Sequence, residues 1–340
     1  MKRMNPFSFI FLCLLTSAAG QNPYPEQKAI ISVERIWDRA EHNAFTDLIL
    51  FNGKFYCAFR EGSGHIPGLN GTIRIIASED GQNWYSAAHL AEQGVDLRDP
   101  KLSITPDGRL MAVIAGSIYE GKQFMRRDPL VFFSDQEGKR FFSPQKIELP
   151  PAIVTETDWL WRVTWQAGYG YGVVYQPTDN EWGLQLVRTK NGLEYELVST
   201  LNVYGKPSEA TLRFLSDQSM LALVRRDGEN TPGYIGHSKP PYDSWTWNSL
   251  EVKLGGPDFL RLPDGRWLCA TRDYTGEDYK TILAFINPEG KSNKVITLPS
   301  GGDTSYPSMV VRDDILYLSY YSGHEGKVAI YLAKIWWERL

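Results

Sequence analysis

One pattern of apolar and polar positions recurs along the chain: an apolar strand, a tight polar turn and a second apolar strand. In the first copy, apolar residues fill positions 48–51 and 55–59 on either side of Asn52-Gly53. Asn-Gly is a preferred two-residue turn between antiparallel strands, so each copy predicts a β-hairpin. The six copies span residues 47–60, 99–113, 161–175, 209–225, 258–272 and 306–320.

The spacing of these hairpins predicts the fold. Their turns are 47 to 61 residues apart, which leaves room for further strands in each unit. Four strands per unit, repeated six times, are typical of a six-bladed β-propeller. We therefore expect an all-β protein in which residues 21–340 form one propeller domain. Trp336 and Trp337 are expected to pack against an N-terminal strand at residues 33–37, where the ring closes.

A second periodic signal lies in the other half of each unit. Residues 78–84 are Ser-Glu-Asp-Gly-Gln-Asn-Trp, which is the Asp-box pattern Ser-x-Asp-x-Gly-x-x-Trp shortened by one residue. An Asp in such a turn accepts hydrogen bonds from nearby backbone amides, while the Trp packs between strands. Weaker copies begin at Ser134, Thr189 and Ser238, so this motif predicts outer hairpins and carries no chemistry of its own.

The first 20 residues are predicted to be a secretory signal peptide. Lys2 and Arg3 precede an apolar run at residues 7–15, and small residues at 17–20 precede Gln21. The apolar run is about half of the length that spans a bilayer. We therefore expect an exported protein, periplasmic or secreted, without membrane insertion.

Composition narrows the classes of partner and cofactor. The 340 residues include 36 basic and 40 acidic ones, a net charge of −4, so no strong positive field favours a nucleic acid. The 11 Trp and 18 Tyr fit sugar-stacking faces as well as a large aromatic core. Cys57 and Cys269, the cysteines beyond the signal peptide, have no zinc-ligand spacing and are expected to be buried and unpaired. Neither a metal nor a cofactor is expected.

Propeller geometry brings residues of distant repeats to one central funnel, because the inner strands radiate from one axis. Charged side chains recur at equivalent positions there, and buried charge is costly without a partner. Two interpretations stay open: Asp–Arg pairs that close the channel, or a small-molecule pocket. The inner-strand candidates are Asp47, Asp99, Arg162, Glu209, Asp258 and Tyr306, and the second-strand candidates are Arg60, Arg225 and Arg272.

This arrangement resembles the sialidase (neuraminidase) family, whose members are six-bladed propellers with Asp boxes. That family places a Glu before an Arg, and a further Arg before a Tyr, at similar spacings. Here Glu209 precedes Arg225 by 16 residues, and Arg272 precedes Tyr306 by 34. The resemblance implies that Tyr306 is a nucleophile and that Glu209 is its base. It also implies that Arg225 and Arg272 bind a substrate carboxylate.

Two departures from the family pattern concern the site. The family's first arginine stands in a Phe/Tyr-Arg-Ile-Pro motif, where this chain has Asn43-Ala-Phe-Thr46. Arg60, in the same predicted blade, is expected to supply the missing charge. The family's acid/base Asp lies in the loop before the first Asp box, and residues 61–72 contain no Asp. The candidates for the acid are Asp99, which is preferred, then His65, with Asp47 and Glu61 as further possibilities.

These residue types suit hydrolysis of a 2-keto sugar acid. The carboxylate of such a sugar stands on the anomeric carbon, so it would repel a negatively charged carboxylate nucleophile. A neutral phenol is not repelled in this way. A neighbouring carboxylate can take the proton of the phenol. Arginines bind anions through paired hydrogen bonds, and the guanidinium groups of Arg60, Arg225 and Arg272 are expected within about 8 Å of one another. Candidates for a sugar-stacking platform are Trp159, Trp161 and Trp182.

We therefore expect an exported exo-glycoside hydrolase that releases a terminal acidic sugar from a glycan or oligosaccharide, with retention of configuration. Asp47, Arg162 and Asp258 are expected to contact the sugar as well. Two alternatives stay open. One is a glycosidase or lyase for another sugar that uses different central residues, such as His65. The other is a catalytically silent glycan-binding propeller.

Overall fold

A computed structural model describes residues 28–65, 69–178 and 182–340 of the chain. The predicted signal peptide lies outside these residues. Within them the protein is almost entirely β, with 25 strands and one short 3-10 helix at Trp337–Arg339. No helix in the described ranges is long and apolar enough to cross a membrane.

The strands form six antiparallel sheets, and each sheet is one blade of the predicted propeller. Blade one contains β2 (His42–Phe51), β3 (Lys54–Gly62), β4 (Thr72–Ser78) and β5 (Tyr85–Leu90), and blade two contains β6 (Asp96–Ile104), β7 (Leu110–Glu120), β8 (Gln123–Phe133) and β9 (Gln145–Lys146). Blade three contains β10 (Trp159–Leu160), β11 (Thr164–Gln166), β12 (Tyr169–Gln176), β13 (Gly183–Thr189) and β14 (Tyr195–Thr200). Blade four contains β15 (Pro207–Phe214), β16 (Met220–Arg226), β17 (Tyr234–Ser238) and β18 (Thr246–Ser249). Blade five contains β19 (Asp258–Arg261), β20 (Trp267–Asp273), β21 (Lys280–Ile286) and β22 (Ser292–Thr297), and blade six contains β23 (Thr304–Arg312), β24 (Ile315–Ser322), β25 (Ala329–Trp336) and β1 (Ile30–Trp37).

The ring is closed by pairing the two ends of the described chain. The innermost strands β2, β6, β11, β15, β19 and β23 contact one another in that order, and β23 also contacts β2. Blade six takes its outermost strand, β1, from the N-terminal side, where Val33 lies opposite Ala333 in β25. The amide of Trp336 donates to Ala29 O at 2.8 Å. This confirms the predicted closure, in which the N-terminal strand completes the last blade.

The hydrophobic core is divided into six clusters, and each lies between two neighbouring blades. Strand β16 explains why. Its side chains alternate, so Met220, Ala222 and Val224 pack toward blade three, whereas Leu221 and Leu223 pack toward blade five. Such a strand is buried on both faces and is therefore apolar throughout. This apolar pattern is the one that the sequence shows in the second strand of each predicted hairpin.

Cys57 and Cys269 are unpaired and fully buried in two of these clusters, as predicted. Burial raises the pKa of both thiols above the ordinary value. Neither thiol is therefore a reactive or metal-binding group.

The turns predicted from the Asp-box pattern connect the third and fourth strands of blades one to four. In blade one, Asp80 Oδ1 accepts hydrogen bonds from the amides of Gln82 and Asn83, both at 2.8 Å. Ser78 Oγ accepts from the Gly81 amide at 2.9 Å, and these bonds fix the turn locally.

Candidate active site

Four of the six inner strands carry the same irregularity. In β2, β6, β15 and β23, the inner strand has one more residue than its partner strand between two successive paired positions. The extra residue makes a β-bulge, which redirects side chains. Phe45, Asp99 and Tyr306 in these bulges have φ values of 65°, 49° and 48°. Residues other than glycine rarely adopt such backbone angles. The bulges lie at residues 45–46, 99–100, 208–209 and 306–307.

The bulges aim Asp99, Glu209 and Tyr306 into one cavity of about 460 Å³. Its wall is aromatic: the rings of Trp159 and Tyr175 stack at 5.5 Å between centroids, and Tyr175 and Trp182 stack at 6.5 Å. Two of the three predicted platform residues, Trp159 and Trp182, thus line the cavity. Trp161 is instead 1% exposed and lies beneath, with its ring centroid 5.8 Å from that of Tyr306. Six of the lining residues are charged, so the flat aromatic faces stand beside charged groups, a combination that suits a polar ring such as a sugar.

Tyr306 and Glu209 form the central pair of the cavity. The Tyr306 hydroxyl donates to Glu209 Oε1 at 2.5 Å, across 97 residues of sequence. Arg225 Nη1 donates to the same carboxylate oxygen at 2.7 Å and lies 3.4 Å from the phenol oxygen. The other oxygen, Glu209 Oε2, accepts from the Gly256 amide at 2.7 Å. Both carboxylate oxygens are therefore fixed, so Oε1 is presented to the phenol in one orientation.

The electrostatics of this pair favour a neutral phenol beside an ionised carboxylate. Burial and the nearby charge of Glu209 raise the pKa of Tyr306 well above 10. Burial alone would also raise the pKa of Glu209, but the charge of Arg225 and the hydrogen bonds from Tyr306, Arg225 and Gly256 outweigh it and lower that pKa. The phenol is thus protonated at neutral pH and hydrogen-bonded to a carboxylate that can accept its proton.

Asp99 differs from Glu209 although both carboxylates line the same cavity. Burial raises the pKa of Asp99 above its ordinary value, against the opposing charges of Arg98 and Lys101. The side chain is 4% exposed, and Oδ1 has no hydrogen-bond partner among the described residues. Two carboxylates in one cavity whose pKa values are shifted in opposite directions can act as an acid and a base.

Arg272 does not line the cavity, but it lies close enough to Tyr306 to interact with it electrostatically. Its Nε donates to Thr304 O at 2.8 Å, and its Nη2 donates to the Tyr321 hydroxyl at 3.3 Å. Tyr321 in turn donates to Asp303 Oδ1 at 2.8 Å. Nearby tyrosines, including Tyr306, raise the pKa of Arg272 despite its burial, so the guanidinium keeps its charge beside the nucleophile candidate.

The structure does not bring Arg60 to the cavity. Arg60 is 1% exposed, and its Nε and Nη2 donate to Asp96 Oδ1 at 3.0 and 2.7 Å. Its Nη1 donates to Gly64 O at 2.9 Å. The expectation that Arg60 shares one anion with Arg225 and Arg272 is therefore not met, because its guanidinium is used to hold Asp96 and the following loop.

Arg98 lines the cavity and supplies a positive charge there, which was the role expected of Arg60. It follows Asp96 by two residues and lines the cavity beside Asp99. Its guanidinium carbon lies 5.4 Å from the Phe45 ring centroid and 5.8 Å from that of Trp159. Its buried Nε has no hydrogen-bond partner among the described residues. Blade two thus supplies a guanidinium next to Phe45, which belongs to the segment 43–46 that stands in place of the family's arginine motif.

Asp47, Arg162 and Asp258 also lie away from this cavity. Arg162 Nη2 is 2.7 Å from Asp47 Oδ1, and Arg162 Nη1 is 3.6 Å from Asp258 Oδ1. Asp47 Oδ2 accepts from the Leu102 amide at 2.7 Å, and Arg213 Nη2 donates to Asp258 Oδ1 at 2.7 Å. These bonds tie inner strands together across the axis. Of the two interpretations of the central charges, Asp–Arg pairing holds for these residues.

The paired residues line a second cavity of about 280 Å³, formed by parts of the inner strands beyond the bulges. None of its lining residues also lines the larger cavity. The ion pairs therefore separate two mouths of the central channel, and the candidate chemistry belongs to the mouth that the bulges face.

His65, the second choice for the acid, lies beside the site. Its Nδ1 is 2.9 Å from Asp303 Oδ2, and its side chain is 45% exposed. Its ring centroid lies 5.0 Å from that of Phe45, which lies 5.0 Å from that of Tyr306. Phe45 thus packs against both rings. Asp99 has the more direct position, because it lines the cavity itself.

Sequence reasoning missed several residues that line the cavity. Arg98 had a usable signal, since it directly precedes Asp99 at the start of an inner strand. Tyr175 ends the third predicted hairpin, as Arg225 ends the fourth, so it also had a signal. The others lie outside the predicted hairpins, and they are Tyr119, Phe124, Arg127 and Asp227.

Neither a protein-family model nor a curated protein matches this chain. Solved structures do match. A Dyadobacter fermentans protein of unknown function is 21% identical with a TM-score of 0.75, covering 90% of this chain and 99% of its own. Trypanosoma rangeli sialidase in complex with sialic acid is 12% identical with a TM-score of 0.70, covering 90% of this chain and 57% of its own. Phage phi92 endosialidase is 11% identical with a TM-score of 0.68, covering 89% and 68%.

These similarities are at the level of backbone architecture. The present chain spans little more than half the length of the trypanosomal sialidase. At these identities the comparisons identify the fold alone, which confirms the fold that the resemblance implied. The chain has the sialidase-like six-bladed propeller fold.

Proposed function

We propose that this protein is a retaining exo-glycoside hydrolase that releases a terminal acidic sugar of the 2-keto sugar acid class. One observation carries the proposal: the Tyr306 hydroxyl donates to Glu209 Oε1 at 2.5 Å within the cavity that Asp99 also lines. A phenol paired with a carboxylate, next to a second carboxylate with a raised pKa, supplies a nucleophile, its base and a general acid.

In the first step Tyr306 attacks the anomeric carbon while its proton passes to Glu209 Oε1. The glycosidic bond breaks, and Asp99 donates its proton to the leaving oxygen. In the second step Asp99 takes a proton from water, and the hydroxide displaces the phenolate, which recovers its proton from Glu209. Two displacements at one carbon retain its configuration. Arg225, 3.4 Å from the phenol oxygen, stabilises the developing phenolate charge.

The substrate carboxylate is bound by arginines around the cavity. Arg98 and Arg225 line it, and Arg272 lies outside the lining but near Tyr306. In the family motif the first arginine belongs to blade one, whereas here residues 43–46 of blade one contain no arginine and Arg98 comes from blade two. The anion is therefore received from a different side, which favours an acidic sugar related to sialic acid but distinct from it. The stacked rings of Trp159, Tyr175 and Trp182 cover a face of the sugar.

The export prediction belongs to this proposal. A hydrolase of glycan termini acts where glycans are present, outside the cytoplasm, and residues 1–20 have the composition of a signal peptide. N-terminal sequencing of protein recovered from a periplasmic or culture fraction tests this directly. Gln21 as the first residue supports it, and an intact N-terminus in the cytoplasmic fraction contradicts it.

The activity is tested with a panel of fluorogenic glycosides of sialic acid and other acidic sugars. We expect Tyr306→Phe to lower kcat by at least about 10²-fold on whichever glycoside the wild type cleaves. Tyr119→Phe is the matched control, because it removes a phenol from the same cavity without touching Glu209. Equal activity of wild type and Tyr306→Phe contradicts the mechanism. Binding of acidic sugars without any turnover favours the glycan-binding alternative.

A further inference from the structure

A cluster outside the proposed catalytic pair joins His42, His65 and Asp303. His42 Nε2 and His65 Nδ1 each lie 2.9 Å from the same carboxylate oxygen, Asp303 Oδ2. All three atoms lie within 4.8 Å of one another. The residues come from the start of β2, from the loop after β3 and from the residue before β23, so the fold brings them together from three places.

The separations suit one metal ion. A zinc ion binds imidazole nitrogen and carboxylate oxygen at about 2.0–2.2 Å, which places neighbouring ligand atoms about 3 Å apart. Both nitrogen-to-oxygen distances are 2.9 Å. Two imidazoles and one carboxylate form a common donor set for divalent transition metals, whereas magnesium and calcium prefer oxygen ligands alone.

The surroundings hold the donors in place. Tyr321 donates to the other carboxylate oxygen, Asp303 Oδ1, at 2.8 Å, so Oδ2 faces the histidines. His42 is 6% exposed, and its Nδ1 has no hydrogen-bond partner among the described residues. Its orientation therefore depends on Asp303, on the Phe45 ring at 6.2 Å and on the His65 ring at 5.9 Å. A ligand set with an ordered outer partner is typical of metal centres.

One side of the cluster is open. His65 is 45% exposed and Asp303 is 28% exposed, whereas His42 is buried. An ion could therefore enter from solvent and keep water at its remaining positions, as in sites with three protein ligands. We propose that His42, His65 and Asp303 bind one zinc-class divalent metal ion at this mouth of the propeller. This site is separate from the Tyr306–Glu209 pair and does not depend on the proposed hydrolysis.

The ion would have a structural consequence for the mouth of the channel. It would join the loop that holds His65 to the entry of blade six, where Asp303 also orients Tyr321. Tyr321 accepts a hydrogen bond from Arg272, so the metal would fix the position of that guanidinium as well. The sequence gives no spacing signal for this site, because the ligands are 23 and 238 residues apart.

The test uses the full mature protein after chelator treatment and dialysis. Zinc binding is measured by isothermal titration calorimetry, and cobalt(II) is titrated separately while its visible absorption is recorded. We expect one ion per chain and cobalt absorption bands that zinc abolishes. His65→Ala is expected to weaken zinc binding at least about 100-fold, because one of three ligands is lost. His237→Ala, in blade four, is the matched control and should bind as the wild type does.

His65 is exposed enough that its replacement leaves the core intact, so His65→Ala decides the question even if His42→Ala fails to fold. Absence of stoichiometric zinc binding by the wild type overturns the proposal and leaves a plain Asp–His hydrogen-bond cluster. Equal zinc affinity of the wild type and His65→Ala also overturns it, since the ion would then bind elsewhere. A rise in the melting temperature with zinc for the wild type, absent from His65→Ala, supports it.

Discussion

Replacement of Asp99 by Asn tests the assignment of the general acid. The substitution keeps the shape of the side chain but removes the proton that the mechanism delivers to the leaving oxygen. In the structure Asp99 lines the cavity beside Glu209, is 4% exposed and leaves Oδ1 without a partner among the described residues. Burial, the largest cause, raises its pKa, so the acid form persists to higher pH than for an ordinary Asp.

The expected loss depends on the leaving group. A positioned general acid contributes about 10²–10⁴-fold to a rate, which corresponds to about 2.7–5.5 kcal/mol of barrier. We expect Asp99→Asn to lose that factor in kcat/KM on a natural oligosaccharide. The loss on an aryl glycoside should be much smaller, because a phenolic leaving group departs without protonation. The ratio of the two losses isolates proton donation from any change in binding.

The pH profile supplies an independent readout. In the wild type, kcat/KM should fall at high pH as Asp99 loses its proton through its raised pKa. It should fall at low pH as Glu209, whose pKa is lowered, becomes protonated. Asp99→Asn should lose the high-pH limb and keep the low-pH limb. Retention of full activity on the oligosaccharide together with an unchanged high-pH limb would refute the assignment.

The same raised pKa predicts a stability effect of defined sign. Between the pKa of about 3.9 in the unfolded chain and the raised pKa in the folded protein, the folded state binds more protons than the unfolded state. The free energy of unfolding therefore decreases as the pH rises through this window. At a pH above both pKa values, each unit by which the folded-state pKa is raised lowers the free energy of unfolding by about 1.4 kcal/mol. Asp99→Asn lacks this cost, so its melting temperature should exceed that of the wild type at neutral pH, with a smaller difference at pH 4.

Three further substitutions test other parts of the account. Glu209→Gln should lower kcat by about 10²–10⁴-fold and abolish the low-pH limb of the pH profile; a surviving limb contradicts its role as the base. Trp182→Ala, which removes one ring of the stacked wall, should raise KM about tenfold with kcat nearly unchanged; a loss confined to kcat contradicts a binding role. Arg60→Met leaves Asp96 buried without its guanidinium and should lower the free energy of unfolding in urea by about 3–5 kcal/mol. The kcat of folded Arg60→Met should match the wild type, and a selective loss of kcat contradicts its placement outside the cavity.

The fold was largely predictable from the sequence because its signal is local. The second strand of each inner hairpin is buried on both faces between neighbouring blades, so it is largely apolar, and the turn before it is polar. The pairing of β1 with β25 was predictable for a related reason, since a propeller needs its ends to meet. Within the site, the spacing from Glu209 to Arg225 placed both on adjacent strands of one blade, where they form an ion pair.

The side-chain directions at the centre were not predictable from repeat positions. Asp47 and Asp99 begin equivalent copies of the hairpin. They do not, however, occupy equivalent places relative to the bulge of the inner strand. Asp47 follows its bulge and pairs with Arg162, whereas Asp99 lies in its bulge and lines the cavity. Arg60 was misplaced because its partner, Asp96, lies in the next blade, and no local pattern links the two.

The most direct test of the central claim is identification of the residue that carries the sugar during turnover. The protein is incubated with a fluorinated acidic glycoside, whose fluorine slows hydrolysis of a covalent intermediate, and is then digested for peptide mass spectrometry. We predict one sugar adduct per chain on Tyr306, absent from Tyr306→Phe and still present on Tyr119→Phe. An adduct on another residue, or release of inverted product by an enzyme that forms no adduct, would contradict the account.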